Sequence, residues 1–223
     1  MIWGPGTFMD RMGPTLAPQL MGTASRRRLA RGETLFLEGE VANRVAVVVT
    51  GRLKAVTVST SGQEAVLTVS GPGELVGEIS VFDAAPRTAT VSAFEAAQVA
   101  VVSRRDFEQF LTDNPRAALL LIEQLCLRLR ASNETRTDLS SEPVAVRLAR
   151  RLVSLAEEHG TRLDGSSIDI GFPVSQVELG AWIGASREAV ARELGALRSA
   201  GVLRTERRHI IIDDMEGLAR RAR

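Results

Sequence analysis

The sequence predicts an α+β fold: a jelly-roll-like β-roll in the N-terminal half, a long helix, and a C-terminal helical unit that closes with a hairpin. Three observations lead there. Between Arg26 and Ser103, short β-branched runs are cut by Gly32, Gly39, Gly51, Gly62, Gly71 and Gly73, the signature of strands joined by turns. From Pro115 to Leu139 no internal Gly or Pro interrupts an apolar repeat of three and four residues. Beyond Val174, two short amphipathic segments flank a glycine and lead into two β-like runs separated by Arg207 and Arg208.

The β runs read TLFLEG, RVAVVVTG, RLKAVTVSTSG, EAVLTVSGPG, TATVSAF and AQVAVVS. Their turn spacing fits an antiparallel barrel or sandwich of roughly eight strands. Ser103 is placed to cap a short helix, RRDFEQFL, that stops near Asp113-Asn114-Pro115. Domain boundaries follow: 1–112 for the β-roll, 113–140 for the long helix and 141–223 for the C-terminal domain.

Along the long helix the seam Ile122, Leu125, Leu129, Ser132, Arg136, Leu139 is heptad-like. Such a stripe suits a parallel two-helix coiled coil and therefore a homodimer; the alternative is packing on the chain's own β-roll. The seam turns polar at Ser132 and Arg136, where pure core packing calls for Leu. After Ser140-Ser141-Glu142-Pro143, a Ser before an early Pro suits the start of the helix VAVRLARRLVSLAEEH, which Gly160 ends. A loop and a short strand, SIDI, follow.

Composition narrows the chemistry. Net charge is +1, and no apolar run reaches the length of about 18–20 residues that spans a membrane. The N-terminus lacks a secretory pattern, so no membrane partner and a cytoplasmic location are expected. Cys126 is the only cysteine, which precludes an intrachain disulfide or a multi-cysteine iron–sulfur cluster. The two histidines, His159 and His209, lie outside the β region, which argues against a cupin-type metal site or a haem sensor. No nucleophile–base constellation is present, so no catalytic residues and no metal are expected. Lys54 is the only lysine; the arginine excess reads as coding bias.

Charge distribution says more than net charge. Between Ala185 and Arg208 six arginines face three glutamates. Ser175 and Glu178 have capping-box spacing, with Val177, Leu179 and Ile183 as the expected inward face. Gly184 permits a tight turn, and Ser186 caps a second helix with Val190, Leu194 and Leu197 inward. Arg187, Glu188 and Arg192 then lie near the exposed N-terminal side of that helix. A helix entering the major groove presents such residues to base edges. There Arg can fork onto guanine O6 and N7 while Glu accepts from cytosine N4. The hairpin beyond carries Arg207 and Arg208 at its tip, a wing able to touch phosphates.

The segment GASREAVARELGALRSAGVL resembles the recognition segment of the cyclic-AMP receptor protein (CRP/FNR) superfamily, whose members show S-R-E-x-V-x-R at this point. The resemblance covers nearly the whole chain from about Arg31. It implies a homodimeric transcription regulator with a winged helix-turn-helix, double-stranded DNA as partner, and RNA polymerase as a further one. It also implies that Arg187, Glu188 and Arg192 read a TGTGA-type half-site, hence a GTGA-like palindrome, with Ser175, Ser186, Arg207 and Arg208 supporting DNA contact. Ala189 stands where activators of the family often carry Thr, and Val177 where they often carry Gln; each substitution removes a backbone or phosphate contact.

Upstream, GPGELVGEISVFDAAPRTATVSAF (71–94) resembles the family's phosphate-binding cassette and implies cAMP as effector. Arg87 has the charge and fork for a cyclic phosphate, Thr88 and backbone amides can complete the cradle, and Glu78 can accept from a ribose 2′-OH. The cassette set is Gly77, Glu78, Ile79, Ser80, Arg87, Thr88 and Ala89. The same resemblance gives Arg128 as a partner for Glu78, and places Ser132 from one subunit and Asn133 of the partner subunit against adenine. A register-setting polar layer is the alternative for Ser132 and Asn133. Thr88 beside Arg87 also leaves cGMP open, as is a regulator that binds DNA without ligand. A regulatory module of an enzyme is a reading from another class, and the S-R-E-x-V-x-R helix argues against it. Two features depart from the family: the weakly patterned first 25 residues, with Pro5, Pro14 and Pro18, and Pro143 at the hinge where relatives carry Asp.

Overall fold

The computed structural model describes residues 3–58, 64–82, 85–163, 166–206 and 209–222, without the side chains of 131–141. The chain forms two compact units, Met1–Ala131 and Ser132–Arg223.

In the first unit the elements run α1 (Phe8–Gly22), β1 (Ser25–Leu29), β2 (Thr34–Phe36), β3 (Arg44–Thr50), β4 (Leu53–Val58), β5 (Glu64–Ser70), β6 (Leu75–Val76), α2 (Ile79–Phe82), β7 (Thr90–Ala93), β8 (Ala97–Ser103) and α3 (Arg104–Asp113). The helix α4 (Pro115–Ser141) follows. Among the described residues the strands form two four-stranded sheets, ordered β1-β8-β3-β6 and β2-β7-β4-β5, with antiparallel pairing throughout. This is the mixed fold and β-roll that the sequence predicts.

The near-continuous apolar run of β3 has a simple cause. Successive side chains of a strand point to opposite faces, and both faces of β3 are covered. Val45, Val47 and Val49 pack in a cluster with Phe8, Met9, Phe107 and Leu120. Ala46 and Val48 join Leu29, Phe36 and Leu53 inside the roll. β8 behaves alike, with Ala100 and Val102 on the helical side and Ala97 and Val99 on the other. Fully burying a valine contributes about 1.5–3 kcal/mol relative to leaving it in water.

The first 25 residues, which carry little periodicity, fold as a broken helix. At Gly13 (φ 69, ψ −172) α1 leaves helical geometry just before Pro14. Phe8, Met9, Met12 and Leu20 are nonetheless buried. The break lets two short pieces each turn an apolar side inward, which is why no single 3.6-residue period shows in the sequence. Met9 N–H donates to Gly73 O (3.0 Å), tying α1 to the turn that opens the 71–94 segment. An ion pair between Arg11 and Glu123 ties it to α4.

Along α4, Ala117, Leu120 and Leu121 are buried against the unit's own core. Ile122 and Leu129 are 55% and 62% exposed, while Leu125 is partly buried. Within one chain the stripe is therefore only partly covered. Ser132, Arg136 and Leu139 lie where side chains are outside the described set.

The second unit continues with α5 (Val144–His159), β9 (Thr161–Arg162), β10 (Ile168–Asp169), α6 (Gln176–Ile183), α7 (Arg187–Ser199), β11 (Leu203–Glu206), β12 (His209–Ile212) and α8 (Met215–Arg221). Pro143 itself occupies the N-cap of α5, with no side-chain cap bond, so the serines of 140–141 are not its cap. α4 runs through Ser141, and only Glu142 and Pro143 separate the two helices. Leu148, Leu152 and Leu155 of α5 are fully buried, as are Leu179 and Val190 of α6 and α7. β9, β10, β12 and β11 form a small antiparallel sheet.

Candidate functional site

In the first unit the 71–94 segment folds back across the roll. Gly77 (φ 81) lies in the left-handed region, and a Cβ there would sit 2.6 Å from the Phe36 ring and 2.7 Å from an Arg87 terminal nitrogen. Only glycine fits. Arg87 is 4% exposed. Its Nη1 donates to Gly77 O and its Nη2 to Arg44 O, both at 2.6 Å. The guanidinium lies 3.9 Å from the centroid of the Phe36 ring, and Glu40 Oε1 is 3.9 Å from Nε. That Nε is buried without a hydrogen-bond partner, a cost of about 1–3 kcal/mol unless a ligand meets it. Burial pushes the Arg87 guanidinium below the usual arginine range, with Glu40 acting in the opposite sense. Backbone bonds from Gly39 N–H to Arg87 O and from Arg87 N–H to Glu40 O hold the arginine from both sides.

Glu78 is 1% exposed, and its Oε1 accepts from Arg128 Nη1 at 2.5 Å. Arg128 Nη2 also donates to Leu75 O at 3.0 Å. A residue of α4 is thus locked onto the segment that holds Arg87. Ser80 and Ala89 are buried, whereas Ile79 and Thr88 are exposed. A buried arginine, a buried carboxylate and a Cβ-free backbone turn are groups that can together take a ligand with one phosphate and a free hydroxyl.

In the second unit Ser175 accepts from Glu178 N–H (3.2 Å) while Ser175 N–H donates to the Glu178 carboxylate (2.9 Å), a complete capping box. Gly184 takes the left-handed turn (φ 60, ψ 45). A Cβ on Gly180 would sit 2.5 Å from Ala185 O, so α6 and α7 meet closely only because Gly180 is bare. Ser186 caps α7. Val190, Leu194 and Leu197 are buried, and Arg187, Glu188 and Arg192 are exposed. Arg192 Nε lies 3.3 Å from Glu193. Val177, expected to face inward, is 59% exposed: at the second residue of α6 its helical phase points away from Leu179 and Ile183. The wing pairs Glu206 with His209 across its end; Arg207 and Arg208 lie outside the described residues. Hydrogen bonds to Asp213 and Glu206 raise the Arg204 pKa, which commits that arginine to the wing's own fold.

Residues 26–114 match the cyclic nucleotide-binding domain family, and residues 146–221 match the Crp-like helix-turn-helix domain. The CRP-like cAMP-activated global transcriptional regulator of Mycobacterium tuberculosis is 34% identical over 193 residues, covering 86% of this chain and 86% of its own length. The chain belongs to the CRP/FNR family of transcription regulators. The cyclic AMP receptor protein of Thermus thermophilus is 32% identical over 193 residues, covering 85% of this chain and 86% of its own. The solved structure of a CooA mutant from Carboxydothermus hydrogenoformans shares the fold, with TM-score 0.79 at 18% identity over 99% of this chain and 98% of that one.

Read as a CRP/FNR protein, the chain brings Gly77, Glu78, Arg87 and Arg128 together. The side chains of Ser132 and Asn133 lie outside the described set. Sequence reasoning did not single out Phe36, Glu40 or Arg44, which surround the Arg87 guanidinium. Phe36 belongs to a short strand remote in sequence, and only the pairing of β2 with β7 brings it near.

Proposed function

We propose that the chain acts as a homodimer that cAMP switches into a state reading a GTGA-type palindrome. The observation that carries this reading is the Glu78–Arg128 pair beside a buried Arg87 whose Nε has no hydrogen-bond partner. A 3′,5′-cyclic nucleotide would bring a phosphate to Arg87 and the Gly77 turn, and a free 2′-OH to Glu78. The names of the Mycobacterium and Thermus relatives favour cAMP as that nucleotide. The exposed Ile122 and Leu129 on α4 supply an apolar stripe for a second copy, and the exposed Arg187, Glu188 and Arg192 supply the base-reading set.

Control then operates by population shift. The ligand must bind one arrangement of the dimer better than the other, or nothing moves. In the favoured arrangement the two α7 helices face successive major grooves about 34–36 Å apart. One observation favours a second reading. Both terminal nitrogens of Arg87 already donate to backbone carbonyls, so the segment is held by the chain itself, as a ligand-independent regulator requires.

Calorimetric titration separates the two. Saturable binding of cAMP, with cGMP weaker by about tenfold or more, is the expected result. Heats absent for both nucleotides overturn cAMP control, and cGMP binding more tightly than cAMP reassigns the effector through the exposed Thr88.

A further inference from the structure

On α7, Arg187, Leu194 and Arg198 are spaced by seven and four residues and share one helical face. Leu194 is 2% exposed, while both arginines reach solvent. They border a groove of about 360 Å³ that Val177 from α6 and Thr205 and His209 from the wing close on the other sides. Among the described residues the lining contains no Asp or Glu. The nearby acidic residue of the wing, Glu206, alternates with Thr205 along β11 and pairs with Arg204 on the opposite face.

Carboxylates hold some of this unit's arginines and leave others open. Arg150, Arg192, Arg204 and Arg220 each have a carboxylate partner. Among the described residues Arg187 and Arg198 have none, and neither do Arg162 and Arg221, which lie outside this groove. An exposed arginine on a helix is usually only solvated, so position must decide what Arg198 does.

Position does decide it. Eleven residues separate Arg187 from Arg198, about 16 Å along the axis at 1.5 Å per residue. The major groove is about 12 Å wide and about 8.5 Å deep. With Arg187, Glu188 and Arg192 at base edges and α7 entering by its N-terminal end, the last turn would rise from the groove floor to its lip, where phosphates are.

We propose that Arg198, with the Thr205 hydroxyl across the groove, seats a backbone phosphodiester of the DNA on the wing side of the major groove. The contact fixes register and adds affinity without reading sequence. It rests on α7 being the groove-entering helix, and its test uses duplexes that separate it from the half-site reading.

Fluorescence anisotropy of the full-length protein is measured on a GTGA palindrome and on a scrambled duplex across a salt series, for the wild type, Arg198→Ala and Arg198→Lys. Arg198→Ala is expected to weaken both duplexes by a similar factor of about 3–10, and to reduce the log–log salt slope by about 0.9 per bound subunit. Arg198→Lys should keep the slope, since lysine carries the same charge. A slope unchanged in Arg198→Ala, or a loss confined to the palindrome, overturns the proposal. A wild type with no preference for the palindrome overturns the half-site reading instead, and the scrambled duplex still decides Arg198.

Discussion

Replacing Arg87 with glutamine is expected to lower cAMP affinity by two to three orders of magnitude, about 3–4 kcal/mol. Glutamine keeps a donor but removes the charge that a phosphate meets. The same change also acts on the fold. Its guanidinium donates to Gly77 O and Arg44 O and stacks on Phe36, and hydrogen bonds to a charged group contribute about 1.5–3 kcal/mol each. Relief of the arginine's desolvation offsets part of that, leaving a net destabilisation of about 2–4 kcal/mol. The two effects separate by titrating cAMP well below the unfolding temperature of the variant. Arg87→Lys restores the charge without the fork and should fall between. Affinity for cAMP within about threefold of wild type in Arg87→Gln would place the phosphate elsewhere.

The second large effect is an asymmetry. Arg128 is 29% exposed at its side chain and Glu78 only 2%. Removing Arg128 strands a carboxylate that water cannot reach, a loss of about 3–5 kcal/mol. Glu78→Gln leaves an arginine that still bonds Leu75 O and can turn to solvent, a loss of about 1–2 kcal/mol. Arg128→Met is therefore expected to destabilise the first unit more than Glu78→Gln, with the double variant costing less than the sum. Denaturant unfolding followed by Trp3 fluorescence in a Trp182→Phe background isolates this unit, because Trp3 packs on its core and the only other tryptophan is removed. A larger loss in Glu78→Gln than in Arg128→Met contradicts the assigned burial.

Much of this was legible in the sequence because local chemistry carried it. Glycine-bounded β runs gave the roll, Ser175 and Glu178 gave the capping box, and Ser186 gave the start of α7, since each feature is set by residues close together in sequence. Gly77 and Arg87 were legible by pattern, but their surroundings were not. Phe36 is brought near by the pairing of β2 with β7, and Arg44 offers its carbonyl from the start of β3; contacts between segments so remote in sequence leave no local trace. α1 was missed for another reason: its break at Gly13 divides the apolar face into two phases. Val177 was misplaced because an apolar residue in the first turn of a short helix reads as core, although its phase turns it outward.

The most direct test of the account is equilibrium binding of a GTGA-palindrome duplex with and without saturating cAMP. Ligand gating predicts that cAMP tightens binding by about tenfold or more, that a scrambled duplex gains much less, and that Arg87→Gln abolishes the gain. Tight palindrome binding that is the same with and without cAMP would contradict the account.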